Sequence, residues 1–111
     1  MASQSRVPLV PGTLEMLVLK TVSREPAHGW AIADRIQQWS GQVFAVNQGT
    51  LYPALERLQQ QGLIRNEWRI TDNGRRARYY LITKAGLKRL EAERESWRVA
   101  SGAIELILGT R

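Results

Sequence analysis

The sequence predicts a mainly helical α+β fold, in which a helix-turn-helix precedes a two-stranded β-hairpin and a long C-terminal helix. Three observations support this prediction. Apolar residues recur at helical spacing before residue 62, an alternating segment leads into Asn73-Gly74, and residues 84–111 hold one continuous helical pattern. A chain of 111 residues fits one domain with an appended helix. We therefore predict a helix-turn-helix domain over residues 1–84, with residues 1–8 as a disordered arm, and an interaction helix over residues 85–111.

The helix predicted over residues 47–61 organises the rest of the chain. Its buried stripe consists of Leu51, Leu55 and Leu58. Asn47 or Gly49 is expected to cap its start, and Gly62 to end it in a left-handed conformation. Since proline lacks an N–H group, Pro53 is expected only near the first turn, which places the start of the helix within residues 49–52.

The polar face of this helix carries few charges. Instead of Lys–Glu pairs it presents amide, hydroxyl and phenol groups, which donate and accept hydrogen bonds and suit the base edges of a DNA major groove. The candidate DNA contacts are Asn47, Gln48, Thr50, Tyr52, Pro53 and Arg57. The alternative is an ordinary amphipathic helix with a glutamine-rich surface.

Two helices are predicted upstream of this central helix. Thr13 is the expected N-cap of the first helix, which ends at the Arg24-Glu25-Pro26 turn. His28-Gly29-Trp30 opens the second helix, which runs to about Ser40 and has Ile32, Ile36 and Trp39 as its buried stripe. A short apolar connector, residues 43–46, then leads to the central helix. This order is typical of a helix-turn-helix.

A β-hairpin is predicted after the central helix. Ile64, Trp68 and Ile70 alternate with polar residues and form the expected buried face of the first strand. Residues 77–83 return as the second strand. A two-residue loop would pair Trp68 with Tyr79, whereas a loop of odd length would turn Tyr80 inward; the sequence leaves both registers open.

Positive charge is concentrated in this hairpin. The chain has a net charge of +6, and 13 of its 16 basic residues are arginine. Residues 65–84 contain six basic and two acidic residues, a net charge of +4. Arginine suits bidentate phosphate contacts, so the turn and its flanks are candidate contacts to double-stranded DNA: Asn73, Gly74, Arg75, Arg76 and Arg78. The alternatives are a basic surface that favours solubility and a charged edge strand that prevents aggregation.

The C-terminal helix has an apolar stripe with nearly heptad spacing. The preceding domain is too small to bury such a stripe, so we predict that it pairs with a second copy of the chain, assisted by the first helix. The candidate interface residues are Leu14, Leu17, Leu87, Leu90, Trp97, Ala100, Ile104 and Ile107. The alternative is a helix that folds back on its own domain.

The residue inventory argues against catalysis. One histidine, no cysteine and only two aspartates leave no recognisable catalytic or metal-binding group, and no cofactor is expected. His28 is expected to cap a helix or to contact the DNA backbone. No secretory signal or membrane-spanning segment is recognised, so we expect a cytoplasmic, nucleoid-associated protein with no membrane partner.

These residues also resemble a known family. The chain is similar to PadR-type transcriptional regulators over nearly its whole length after residue 8. The resemblance rests on residues 49–58, Gly62-Leu63-Ile64, Gly12-Thr13-Leu14, Leu17-Val18-Leu19, residues 28–32, Glu67-Trp68, Asn73 with Arg75-Arg76-Ala77, Tyr79-Tyr80, Thr83, Gly86 and Trp97. Trp30 departs from the tyrosine that is more usual in the family, and Leu81 replaces a residue that is often charged.

The resemblance implies a winged helix-turn-helix, of the compact branch of the family with a single C-terminal dimerisation helix. It implies a homodimer that usually represses transcription, here on an inverted-repeat operator. Some relatives hold small, flat, aromatic or hydrophobic effectors against an aromatic residue of that helix, and Trp97 occupies a comparable place. A core role for Trp97 is the alternative. A winged helix that binds protein instead of DNA is the alternative function.

Overall fold

The computed structural model describes residues 9–111, so the predicted arm, residues 1–8, lies outside the described residues. The predicted fold class is confirmed, because these residues form four helices and a three-stranded antiparallel sheet. The elements are α1 (Pro11–Arg24), β1 (Ala27–His28), α2 (Gly29–Trp39), α3 (Gln48–Gln60), β2 (Ile64–Ile70), β3 (Arg76–Ile82) and α4 (Lys84–Leu108). The strand order in the sheet is β1-β3-β2.

Helix α1 begins three residues earlier than predicted. Thr13 is not its N-cap, because Val10 occupies that position without a side-chain capping bond and Pro11 enters the first turn. Proline favours this position since its φ angle already suits a helix and the first-turn N–H groups have no partner inside the helix. The proline therefore sets the start of α1 in place of a hydroxyl cap.

The short strand β1 was not predicted. Ala27 pairs with Tyr80 and His28 with Tyr79, so the turn between α1 and α2 forms an edge of the sheet. In α2, Ile32 and Ile36 are buried as predicted, but the prediction for Trp39 is wrong because its side chain is 53% exposed. Trp39 is the last residue of α2 and lies against the Arg24 guanidinium, 5.8 Å from the ring centroid.

Helix α3 begins at Gln48, one residue before the predicted window, with Asn47 as its N-cap. Pro53 consequently lies in the second turn. Because proline has no N–H group, Pro53 cannot donate the helical hydrogen bond to the carbonyl of Gly49. This carbonyl is the only one that loses its partner, and it lies in the exposed first turn. The end of α3 is as predicted: Gly62 has a φ of +73°, its N–H donates to Gln59, and Leu63 donates to Leu58 in a Schellman motif.

The core lies between α1, α2, α3 and the inner face of the sheet. Leu51, Leu55 and Leu58 of α3 are fully buried, as predicted. They join a single cluster with residues of the other elements, among them Leu14, Val18, Leu19, Ile32, Ile36, Leu63, Ile64, Tyr80 and Leu90. This cluster fixes α3 from behind and leaves its opposite face in solvent.

The two strands of the hairpin pair in the register that a loop of odd length produces. Trp68 pairs with Arg78 and Ile70 with Arg76, and Tyr80 is buried. Gly74 has a φ of +79° and donates to the Thr71 carbonyl, which makes a tight turn followed by a left-handed residue. The prediction that Trp68 and Ile70 are buried is wrong, because the outer half of the hairpin extends beyond the helices and leaves them 54% and 65% exposed.

Helix α4 begins at Lys84, where the Thr83 hydroxyl caps it by accepting from the Gly86 N–H at 3.0 Å. The same hydroxyl donates to the Gly62 carbonyl at 2.7 Å, so the end of α3 and the start of α4 are joined. Gly86 and Leu90 are the buried residues of α4. A helix of 25 residues is about 37 Å long, so most of α4 leaves the core.

Candidate nucleic-acid interface

The first turns of α3 present an exposed polar surface. The Asn47 side chain accepts a hydrogen bond from the Thr50 N–H at 2.9 Å, and Gln48, Thr50 and Pro53 are exposed. The first turn of α3 contains no acidic residue. Because the N-terminal end of a helix carries partial positive charge, this surface favours an anionic ligand and offers amide and hydroxyl groups beside it.

Tyr52 lies partly against its own protein. A Cβ atom placed on Gly29 would stand 2.5 Å from the Tyr52 hydroxyl, so the end of the phenol packs closely against the first residue of α2. The side chain nevertheless remains 47% exposed. Its exposed part faces a groove between α3, the start of α2 and the hairpin.

Arg57 forms an ion pair that the sequence did not predict. Its Nε donates to the Glu15 carboxylate of α1 at 2.6 Å. This ion pair crosses from α3 to α1, on the flank of α3 that faces α1. The structure therefore places Arg57 where it ties two helices together, apart from the Tyr52 flank of α3.

The hairpin tip carries three arginines whose charge is not cancelled by a neighbour. Arg75, Arg76 and Arg78 are exposed, and within residues 9–111 none of them forms an ion pair. Asn73 and Gly74 form the turn from which these arginines extend. The tip thus combines a narrow, exposed turn with free guanidinium groups, which is an arrangement suited to phosphate.

The other hairpin arginines are paired. Arg65 and Arg69 both donate to the Glu67 carboxylate, at 3.3 and 2.6 Å. The hydrogen bond from Arg69, with help from Arg65, holds the pKa of the Glu67 carboxyl below its usual value. These three residues alternate onto one face of the hairpin, so this face is close to neutral compared with the tip.

The opposite face of the hairpin combines arginine with tryptophan. The guanidinium carbons of Arg76 and Arg78 lie 4.9 and 5.1 Å from the centroid of the Trp68 ring. Trp68 and Arg78 also line the groove beside α3, which has a volume of about 550 Å³ and includes Tyr52 and Glu56 on its far side. The charged face of the hairpin and the polar surface of α3 therefore open on the same groove.

A direct contact fixes the distance across this groove. The Asn66 side-chain amide of β2 donates to the Gln59 side chain of α3. Burial raises the pKa of the Tyr80 hydroxyl, at the floor of the groove, above its usual value. The hairpin and α3 consequently form one surface with a fixed separation.

His28 is a capping residue in this structure. Its Nδ1 accepts from the Ala31 N–H at 3.3 Å, at the start of α2. Its ring also meets the Tyr79 ring edge-on at 5.3 Å between centroids. Since Nδ1 accepts, the ring proton of the neutral form lies on Nε2, which remains as a donor at the rim of the groove.

The comparison with known proteins identifies the family. Residues 18–92, more than half of the chain, match the family described as Transcriptional regulator PadR-like family. The chain belongs to this family. Members of the PadR family are transcriptional regulators, and the hairpin of this chain is therefore the wing of a winged helix-turn-helix.

Related proteins agree in sequence and in fold. A PadR-family transcriptional regulator from Eggerthella lenta is 34% identical over 90% of this chain and 85% of its own, with a TM-score of 0.77. The structure of smu.1704 from Streptococcus mutans has a TM-score of 0.84 at 28% identity, over 95% and 94% of the two chains. Transcriptional regulator Rv3488 of Mycobacterium tuberculosis is 42% identical over 60 residues, which span 54% of this chain and 55% of that protein.

The predicted interface residues of this PadR-family protein divide into three groups by exposure. Leu14 and Leu90 are 1% and 5% exposed within the single chain, so their assignment to an interface is wrong: they belong to the core of the protomer. Leu17 is half-buried and packs against that core. The exposed residues are Leu87, Trp97, Ala100, Ile104 and Ile107.

The last turns of α4 are more apolar than the predicted stripe. Val99 and Leu106 are also exposed, on the side of the helix away from Trp97 and Ile104. The apolar surface therefore extends around two sides of residues 97–108. Trp97 itself borders an open hollow lined by Met16 of α1 and by charged residues of α4: Glu91, Arg94, Glu95 and Arg98.

The sequence did not predict the contacts of Trp68 with Arg76 and Arg78, because the alternation of β2 grouped Trp68 with the core. The signal that would have found them is the register. Once Tyr80 faces inward, Arg76 and Arg78 must share a face with Trp68. Glu15 as the partner of Arg57 had no comparable signal, since 42 residues separate them.

In residues 9–111 no group of histidine, cysteine, aspartate or glutamate has the arrangement of a metal site. Over the same range, no helix combines the length and the apolar character that crossing a membrane requires.

Proposed function

We propose that this PadR-family regulator is a homodimeric repressor that binds double-stranded DNA at an inverted-repeat operator. The observation that carries the proposal is the joint surface of α3 and the wing. It combines an uncharged hydrogen-bonding helix start with three arginines that lack carboxylate partners in the described chain. Such a surface matches a major groove flanked by phosphates.

In this proposal the start of α3 enters the major groove. Asn47, Gln48, Thr50 and the exposed edge of Tyr52 contact bases or flanking phosphates, and Pro53 packs against the groove wall. The α3 N-terminus, with no acidic residue in its first turn, favours a nearby phosphate. Arg57 is assigned a structural role instead, because its guanidinium is held by Glu15.

The wing contacts the adjacent backbone. Arg75, Arg76 and Arg78 donate to phosphate oxygens, and the narrow turn at Asn73-Gly74 lies at the minor groove. The Nε2–H of His28 is a candidate backbone donor at the rim of the same groove. Phosphate contacts fix the position of the protein on DNA, whereas the α3 side chains distinguish sequences.

Dimerisation through α4 supplies the second DNA-binding surface. Within residues 97–108, apolar side chains cover two sides of α4. This supports contact with both the α4 helix and a second element of a partner copy. A two-fold dimer requires two half-sites about one helical turn apart, and therefore an inverted repeat. Repression follows if that operator overlaps a promoter and excludes the polymerase.

A salt titration tests DNA binding. The probe is a duplex selected from a random-sequence library with the wild-type protein, and binding is measured by fluorescence anisotropy. Each phosphate contact contributes about −0.9 to the slope of log affinity against log salt. We expect Arg75→Gln to reduce the steepness of the slope by about 2, one contact for each protomer.

Arg98→Gln is the matched control, because Arg98 is an exposed arginine of α4 that pairs with Glu95. It should leave the slope unchanged. Footprinting of the selected duplex should give two protected half-sites related by a two-fold axis. Affinity that does not depend on salt, or equal slopes for Arg75→Gln and wild type, would instead support a winged helix that binds protein.

We also propose that a small aromatic or hydrophobic effector binds beside Trp97 and favours one spacing of the two DNA-binding surfaces. The proposal is supported by the exposure of Trp97, which is 57%, and by the hollow that it borders. A ligand can shift the equilibrium only if its affinities for the two spacings differ.

Ethidium serves as a flat aromatic probe of this site. Trp97→Ala should weaken ethidium binding at least tenfold, while Trp39→Ala should not. Equal affinity of both variants would reject the site.

A further inference from the structure

We propose that the Trp68 indole is the positioning platform that holds Arg76 and Arg78 ready for the DNA backbone. This inference rests on the proposed DNA-binding function and adds a residue to it. Trp68 is the one aromatic side chain in the described chain that has two guanidinium groups near its ring, at 4.9 and 5.1 Å from the centroid.

The register of the wing creates this arrangement. Trp68 lies directly opposite Arg78, and Arg76 opposite Ile70, two residues further along the same face. Directly opposed and diagonal side chains of an antiparallel pair are within reach of a large aromatic ring. Trp68 is thus placed to order both arginines.

A tryptophan orders arginine in a way that a carboxylate cannot. On the other face of the wing Glu67 holds Arg65 and Arg69, but it also cancels part of their charge. The indole holds the guanidinium through its π-face and leaves the full positive charge, and the N–H groups at the guanidinium edge stay free to donate. The face that carries Trp68 is therefore both ordered and strongly positive.

Exposure supports a role at an interface. Trp68 is 54% exposed although it is the largest side chain of the wing, and Ile70 beside it is also exposed. The ring and Arg78 line the groove that α3 borders, and Arg76 lines the neighbouring hollow at the hairpin turn, so both guanidinium groups are available to a DNA backbone that passes the wing. Arginines that are already ordered lose less side-chain freedom when they bind phosphate.

The test compares Trp68→Ala with Ile70→Ala, an exposed apolar residue of the same strand and face that holds no guanidinium. Affinity is measured on the selected duplex and on a random-sequence duplex. Trp68→Ala should weaken both complexes roughly tenfold, since two stacking contacts are lost in each protomer. Ile70→Ala should change affinity less than twofold, and Trp68→Phe should recover most of the loss.

A double-mutant cycle separates positioning from a structural role. In the Arg76→Gln/Arg78→Gln background, Trp68→Ala should have no further effect if Trp68 acts through the two arginines. Full additivity, or a fall in thermal stability that accounts for the loss of affinity, would overturn the proposal. The ring-current shifts of the Arg76 and Arg78 side-chain protons give a readout without DNA. They should be present in wild type and absent in Trp68→Ala.

The failures of the two proposals are distinguishable. If the wild-type protein does not bind either duplex, the proposed DNA-binding function is wrong. If wild type binds and Trp68→Ala binds equally well, only the platform is wrong. If Trp68→Ala weakens binding to the selected duplex alone, Trp68 contacts bases and does not position backbone arginines, which also overturns the inference.

Discussion

At the scale of single residues, the role of each arginine depends on its nearest partner. Arg57 meets a carboxylate of α1, Arg65 and Arg69 share Glu67, and Arg76 and Arg78 meet an indole. A carboxylate partner converts an arginine into a link within the fold. An aromatic partner, or none, leaves its charge for a ligand.

Arg57 provides a prediction at this scale. Because its guanidinium is committed to Glu15, Arg57→Gln should leave the salt dependence of DNA binding unchanged, in contrast to Arg75→Gln. Both partners are partly exposed to solvent, so the loss of the ion pair should lower the free energy of unfolding by no more than about 1 kcal/mol. Urea denaturation and anisotropy titrations measure the two effects. A salt slope reduced as in Arg75→Gln would show that Arg57 leaves Glu15 for the DNA.

At the scale of elements, the junction between α3, β2 and α4 determines where the wing and α4 emerge. The Thr83 N–H donates to the Leu63 carbonyl at 3.1 Å, and the Thr83 hydroxyl joins Gly62 to Gly86. A Cβ atom on Gly86 would stand 2.1 Å from the same Leu63 carbonyl oxygen. Glycine is therefore required where α4 leaves the sheet.

The two glycines within α4 should respond in opposite directions to alanine. Gly86→Ala should lower the free energy of unfolding by roughly 3 kcal/mol, because the obstructing atom is backbone and cannot move without breaking the Thr83 bond. A Cβ atom on Gly102 would meet no other atom within 4 Å, so Gly102→Ala should raise stability by about 0.5–1 kcal/mol through helix propensity. Thermal and urea denaturation at equal protein concentration measure both changes. A stable Gly86→Ala variant would contradict the close packing at this junction.

The elements also indicate how far the sequence determines the fold. The α3 helix, its Asn47 cap and its Gly62 end were predictable because capping and left-handed glycine are local signals. Strand β1 was not, since two residues carry no periodicity and exist as a strand only through pairing with Tyr79 and Tyr80. The strand register of the wing depends on the conformation of the loop at Gly74. The Asn-Gly pair alone predicts a turn but leaves the register open.

The candidate interface was predictable in composition but not in its contacts. Arginine enrichment pointed to the wing, and the Gln-rich, uncharged face pointed to α3. Tertiary packing and strand register decide which arginines have a carboxylate partner and which do not. The partners concerned are Glu15, Glu67 and Trp68. Leu14 and Leu90 were assigned to an interface because a helical stripe does not reveal which part of it the protomer itself buries.

At the scale of the whole molecule, the chain is less compact than a closed domain of its length. Its radius of gyration is 15.5 Å, whereas about 13 Å is expected for a compact chain of this size. The larger radius of gyration reflects α4. Within residues 97–108 of this helix the exposed apolar residues are Trp97, Val99, Ile104, Leu106, Ile107 and Leu108. So much apolar surface at one end of a small protein is typical of a surface that a partner covers.

This surface gives the last prediction. Ile104→Glu introduces a charge into the apolar side of α4, and in a two-fold dimer both copies carry it. The dimer should weaken at least a hundredfold, since burying an unpaired carboxylate is costly, and sedimentation should then report a monomer at micromolar concentration. Binding to the inverted repeat should weaken to the affinity of one half-site, because the second DNA-binding surface is no longer attached to the first.

Arg98→Glu is the matched control for this change. Arg98 lies on the polar side of α4 together with Glu91 and Glu95, so the added carboxylate remains in solvent. This variant should remain dimeric and bind DNA as wild type does. If Ile104→Glu remained dimeric as well, the interface would have to lie elsewhere on the chain. The separation of the two α3 helices would then no longer be set by α4.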